Sequence, residues 1–66
     1  MTNVLGLTQR ERQVMKLLSQ GLTTRQIARR LQIAPGTARR HIGSAAARLG
    51  AADRLAALHA YRRAVR

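Results

Sequence analysis

Apolar residues recur along this chain three and four positions apart, and no stretch alternates apolar with polar as a strand would. Val14, Leu17 and Leu18, with Met15 beside them, make the first group. Thr8 precedes it and Glu11 follows Thr8 by three. At that spacing the hydroxyl accepts from the NH of Glu11, and the carboxylate accepts from the NH of Thr8. Gly21 then supplies a residue that can turn left-handed past a helix end. Together these signals predict a first helix from about Gln9 to Gln20. Thr23 and Gln26 repeat the capping device ahead of Ile27, Ala28 and Leu31, which predicts a short second helix from about Thr24 to Leu31. Gln32-Ile33-Ala34 reads as a tight connection, and Pro35 suits the first position of a third helix. That helix is expected to run to about Leu49, where Gly50 ends it. Asp53 is placed to cap a fourth helix, from about Arg54 to Arg63, with Leu55 and Leu58 on its inner face. The expected class is all-α: four helices in a single domain over residues 1–66, without linker or low-complexity tract.

The second and third predicted helices, joined by about three residues, have the spacing of a helix-turn-helix, whose later helix enters the major groove of DNA. An ordinary helical hairpin has the same spacing, so the faces of the third helix must separate the two. Ala38, Ile42, Ala45 and Leu49 share one side and form its buried stripe. At about 100° per residue, Gly36, Arg40, Gly43 and Ala47 point the other way, flanked by Arg39 and Ser44. A merely solvated face would carry Glu, Lys and Gln. Small residues beside arginine instead let a helix axis approach base edges while a guanidinium reaches guanine O6 and N7. The outer face therefore favours groove insertion, with Arg39, Arg40, Gly43 and Ser44 at the bases. The start of the second helix offers Thr23 and Thr24 hydroxyls, free NH groups and Arg25 for backbone phosphates, and Thr37 is a second such point.

Charge agrees with that reading. The 66 residues carry 13 basic and 2 acidic side chains, a formal net charge of +11, and only Lys16 among the basic residues is not arginine. So large an imbalance calls for a polyanionic partner, although an arginine-rich solvated surface would also produce it. Both carboxylates, Glu11 and Asp53, fall where a helix start favours negative charge. None is then left for acid–base catalysis. His41 and His59 lie on different helices, cysteine is absent, and the five glycines are dispersed. A metal cluster, a nucleophilic triad and a phosphate loop are thus not expected, nor are a cofactor or an enzymatic activity. No apolar run approaches the roughly 20 residues that span a bilayer, and Met1 to Gly6 lack the basic-then-apolar order of a secretory signal. A cytoplasmic location is the expectation, with the absence of cysteine in keeping. A chain this short buries only about 60% of its unfolded surface, so stability is expected near roughly 3–5 kcal/mol.

The stretch "LTQRERQVMKLLSQGLTTRQIARRLQIAPGTARRHIGSAAARLGAADR" resembles the LuxR-type DNA-binding domain, also called the GerE or NarL type. The shared features are L-T-x-R-E-x-x-V at the start, G-L-T-x-x-x-I-A-x-x-L, the I-A-x-x-T-x-R-x-H segment, and L-G with an arginine soon after. The resemblance runs from Leu7 to about Ala57 and implies a bacterial transcription regulator, often with a receiver or ligand-binding domain ahead of it. It implies a recognition helix over Pro35 to Leu49, a basic contact at Arg39, a phosphate-contacting threonine at Thr37, and base readers at Arg40 and Gly43. Gly43 has no side chain, so one usual reader is missing. Ala38 and Ala45 replace bulkier aliphatics, which suggests that the first and third helices approach closely, and Ala34 replaces a serine cap. The resemblance further implies dimerisation through the last helix, here Ala56, Ala57, Ala60, Tyr61 and Ala64, on half-sites about one DNA turn apart. RNA polymerase would be a further partner. The alternatives are a module like sigma-factor region 4, whose opening has a similar cast, and a cationic module that binds proteins or membrane surfaces.

Overall fold

The computed structural model describes residues 6–65, which form four helices: α1 (Gln9–Ser19), α2 (Thr24–Leu31), α3 (Pro35–Arg48) and α4 (Arg54–Ala64). Residues 1–5, most of the segment read above as no secretory signal, and residue 66 lie outside the described residues. Three of the four starts are set by side-chain caps at the predicted positions. Thr8, Thr23 and Asp53 accept from the NH groups of Glu11, Gln26 and Ala56 at 3.1, 3.1 and 2.8 Å. The two boxes close from the other side, where the NH groups of Thr8 and Thr23 donate to the Glu11 and Gln26 side chains at 2.9 and 2.8 Å. Ala34, ahead of α3, makes no side-chain cap, and Pro35 alone presets that start.

The first three helices end in the same hydrogen-bonded turn. Behind α1, the NH groups of Gly21 and Leu22 return to the carbonyls of Leu18 and Leu17. Behind α2, those of Gln32 and Ile33 return to Arg29 and Ala28; behind α3, those of Gly50 and Ala51 return to Ala47 and Ala46. Such a turn needs a left-handed residue. Glycine supplies it twice, at Gly21 and Gly50, but Gln32 adopts φ 59° with a full side chain. A side chain in that region costs about 1–2 kcal/mol, against about 0.5–1 kcal/mol for the greater freedom glycine loses on folding. Gln32→Gly is therefore expected to stabilise the fold modestly, and Ala34→Ser to do so by about 0.5–2 kcal/mol through the restored cap. Each should appear as a melting temperature raised by about 4–8 °C per kcal/mol, read by circular dichroism.

α3 is the central helix and packs against α1, α2 and α4, with α4 also against α1. The core is aliphatic: Leu7, Val14, Met15 and Leu18, then Ile27 and Ala28, then Ala38, Ile42, Ala45 and Ala46. Ala38 and Ala45 are both at 0% exposure, so the small residues of α3 are covered by their neighbours. Leu49 is only half-buried. One expectation is corrected in α4. Leu55 is 64% exposed, and the inner face is Ala57 and Tyr61 with Leu58 beside them. Tyr61 offers far more apolar area than a leucine. Turning it inward carries Ala57 and Leu58 with it and rotates Leu55, 200° from Ala57, outward. Burial pushes the Tyr61 phenol up against the opposing pull of Arg12, so it stays neutral.

Two long-range polar contacts tie the helices together. Glu11 is buried, and the Arg48 Nε lies 3.0 and 3.2 Å from its two carboxylate oxygens, pinning the start of α1 to the end of α3. The Arg62 guanidinium donates to the Ser19 carbonyl at 2.9 Å, closing the end of α1 with a cation from α4. Burial pushes the Glu11 carboxyl up, but the Thr8 NH, Arg48 and the Thr8 hydroxyl outweigh it and hold it below its ordinary value. With the folded value depressed, the carboxylate stabilises the fold fully above the unfolded value of about 4.3 and loses that effect as pH falls through the folded one. The melting temperature is expected to fall as pH drops below about 4, and Glu11→Gln to flatten that fall. A variant that kept the full wild-type pH dependence would place the acid-sensitive group elsewhere.

Candidate nucleic-acid interface

The phase of α3 produces two unlike faces. Ala38, Ile42, Ala45 and Ala46 are buried, whereas Gly36, Arg40, Gly43 and Ala47 are all exposed. Ser44 and His41 are half-buried at the flanks. Nothing lies within 4 Å of where a Cβ on Gly43 would stand, so its small size answers no neighbour within the chain. Arg39 is exposed but turns back along the helix. Its terminal nitrogen is 3.8 Å from the corresponding point on Gly36, and it lines both the concavity beside Pro35 and the groove beside Gly43 and Ala47.

The start of α2 is arranged beside it. Its capping box uses the NH groups of Thr23 and Gln26, and the Ile27 NH donates to the Thr23 carbonyl. The box thus leaves the Thr24 and Arg25 NH groups to an outside acceptor. Thr23 and Arg25 are exposed, while Thr24 and Thr37 are half-buried. Thr23, Thr24, Arg25 and Arg39 line one open concavity of about 650 Å³. Arg54, at the first position of α4 and the arginine that follows Leu49-Gly50 in the family pattern, lines it too, although sequence reading assigned it no contact. The signal was present, because a cation at a helix start opposes the helix dipole.

Of the α4 residues expected at a dimer contact, Ala57 and Tyr61 are taken up by the chain's own core. Ala56 and Ala64 are exposed and Ala60 is half-buried, with Leu55 and Val65 as exposed apolar neighbours. Among the described residues, no helix is long and apolar enough to cross a membrane.

Residues 5–61 match the family model described as bacterial regulatory proteins, luxR family. The chain belongs to the luxR family. Over 48 residues this luxR-family chain is 48% identical to the spore germination protein GerE of Bacillus subtilis, covering 73% of the chain and 65% of GerE. Over 50 residues it is 43% identical to the putative HTH-type transcriptional regulators Mb0914c of Mycobacterium bovis and MT0914 of Mycobacterium tuberculosis, covering 76% of the chain but 6% of each regulator. The chain thus spans a small part of the mycobacterial regulators and just under two thirds of GerE. The luxR-family domain is a DNA-binding, helix-turn-helix module of transcription regulation and not an enzyme, and α2 and α3 form its helix-turn-helix.

Proposed function

We propose that this luxR-family domain sets α3 into the major groove of double-stranded DNA and reads base edges from its outer face, as a dimer on paired half-sites. The observation that carries this is the division of α3. Arg40 stands exposed among Gly36, Gly43 and Ala47, on the side opposite the residues that α3 buries. Arg40 supplies the bidentate donor suited to guanine, Gly43 and Ala47 admit the groove wall, and Ser44 donates or accepts at the rim. Thr23, Thr24 and Arg25 at the start of α2, with Thr37 of α3, hold backbone phosphates and fix the register. Ala56, Ala60 and Ala64, at every fourth position, give α4 a shallow stripe for a second copy, with Leu55 exposed on the same helix.

Selection from a random duplex pool, followed by sedimentation equilibrium on the selected site, tests the proposal. A recovered two-fold-symmetric sequence bound by two chains is the expected result. A strictly 1:1 complex on a duplex carrying both half-sites would remove the dimer, and a pool that converges on no sequence would remove base reading.

A further inference from the structure

Three arginines from three helices border one open concavity. Arg25 from α2, Arg39 from α3 and Arg54 from α4 line the concavity that Thr23, Thr24 and Pro35 also border. No carboxylate lies among its lining residues. The one ion pair among the described residues is spent elsewhere, between Arg48 and Glu11. Asp53, the nearest acid in sequence, caps α4 through the Ala56 NH and borders the adjoining groove with Arg39 and Arg54 rather than this concavity. Like charges so placed repel one another unless an anion sits between them.

Arg54 is the informative member. Positions 54, 57, 58 and 61 share one face of α4, and the last three pack against the domain. Arg54 is exposed and continues that inner face beyond the core, where it borders the concavity with residues of α2 and α3. It also borders a second groove with Thr24, Arg39 and Gly43, which joins it to the outer surface of α3. Its place at the first position of a helix, where the macrodipole disfavours a cation, weakens α4. A residue that breaks a local rule of this kind while facing a charged concavity is better explained by a ligand than by the fold.

We infer that Arg25, Arg39 and Arg54 together hold one phosphodiester of the DNA backbone, so that α4 takes part in the DNA contact and Arg39 anchors the backbone rather than reading a base. The inference rests on the DNA reading proposed above. It divides the adjacent arginines of α3 into two tasks: Arg40 faces bases from the outer side, and Arg39, turned back past Gly36, faces the backbone.

Binding to the selected duplex and to a random duplex, measured by fluorescence anisotropy across salt for the wild type, Arg39→Ala, Arg54→Ala and Arg54→Lys, tests this. Arg54→Ala and Arg39→Ala should each weaken both duplexes by a similar factor and lower the salt slope by about 0.9, while Arg54→Lys keeps the slope. A scan of single methylphosphonates, each neutralising one phosphate, should find one position that weakens the wild type and not the Arg39→Ala/Arg54→Ala double variant. The melting temperature of Arg54→Ala should be unchanged or raised, since a cation leaves the helix start. The inference is overturned if the wild type binds but Arg54→Ala leaves affinity and slope unchanged, if Arg54→Ala melts earlier, or if Arg39→Ala loses affinity only for the selected site. A wild type that binds neither duplex would instead overturn the DNA reading on which the inference stands.

Discussion

Ile27→Ala is expected to unfold a large share of the protein in plain buffer. Ile27 is at 0% exposure, and α2 has only eight residues with just Ile27 and Ala28 fully inside. Truncating a buried isoleucine to alanine costs about 2–5 kcal/mol, depending on how far the site collapses, against a total of roughly 3–5 kcal/mol for a domain of this size. Nothing local compensates, because an eight-residue helix is not stable without the packing of its apolar face. The loss would also reach function, since α2 carries Thr23, Thr24 and Arg25. Urea unfolding followed by circular dichroism checks the size of the effect, with Ile27→Val as a graded control at about 0.5–1.5 kcal/mol. A loss below about 1 kcal/mol for the alanine variant would show that α2 is held from somewhere other than its buried face.

The second large effect falls on binding. Arg40→Ala is expected to weaken the selected site by about 1–3 kcal/mol, roughly fivefold to a hundred and fiftyfold, while a random duplex loses little. A phosphate contact would weaken both alike. Gly43 gives a companion result of opposite sign on stability. A Cβ there meets nothing in the chain, so Gly43→Ala is expected to stabilise α3 by up to about 1 kcal/mol. If the groove wall lies against Gly43, the same variant binds the selected site less well. Higher stability with lower affinity cannot come from damage to the fold.

These expectations rest on features of unequal legibility in the sequence. The caps at Thr8, Thr23 and Asp53, and the glycine ends at Gly21 and Gly50, are local chemistry, and they bound the helices to within a residue or two. The two faces of α3 follow from helical periodicity and hold from Gly36 to Ala47; at its end the inner side passes to Ala46, and Leu49, expected in the buried stripe, is half-buried at the cap. Leu55 was misplaced because an alanine-rich helix has a weak apolar stripe, and the bulk of Tyr61 rather than the count of leucines decides its rotation. The Glu11–Arg48 pair spans 37 residues of sequence. No local rule selects Arg48 from so many arginines; it becomes the partner once α1 and α3 are packed. Gln32 was legible only as part of a connection, because a left-handed glutamine looks like any other loop residue until its hydrogen bonds are seen. Arg54 and the turned-back Arg39 depend on how α2, α3 and α4 converge, which again is tertiary.

The most direct test of the central claim, that α3 reads guanine from the major groove through Arg40, is a double-mutant cycle between protein and DNA. Each guanine of the selected half-site is replaced in turn by 7-deazaguanine, which removes the N7 acceptor from the major groove and leaves the phosphates untouched. Wild type and Arg40→Ala are then titrated against each duplex at fixed salt. At one guanine the replacement should weaken the wild type by a part of what Arg40→Ala costs, since O6 still accepts, and should cost the Arg40→Ala variant nothing further. Losses that simply add at every guanine would contradict the account and move Arg40 off the bases.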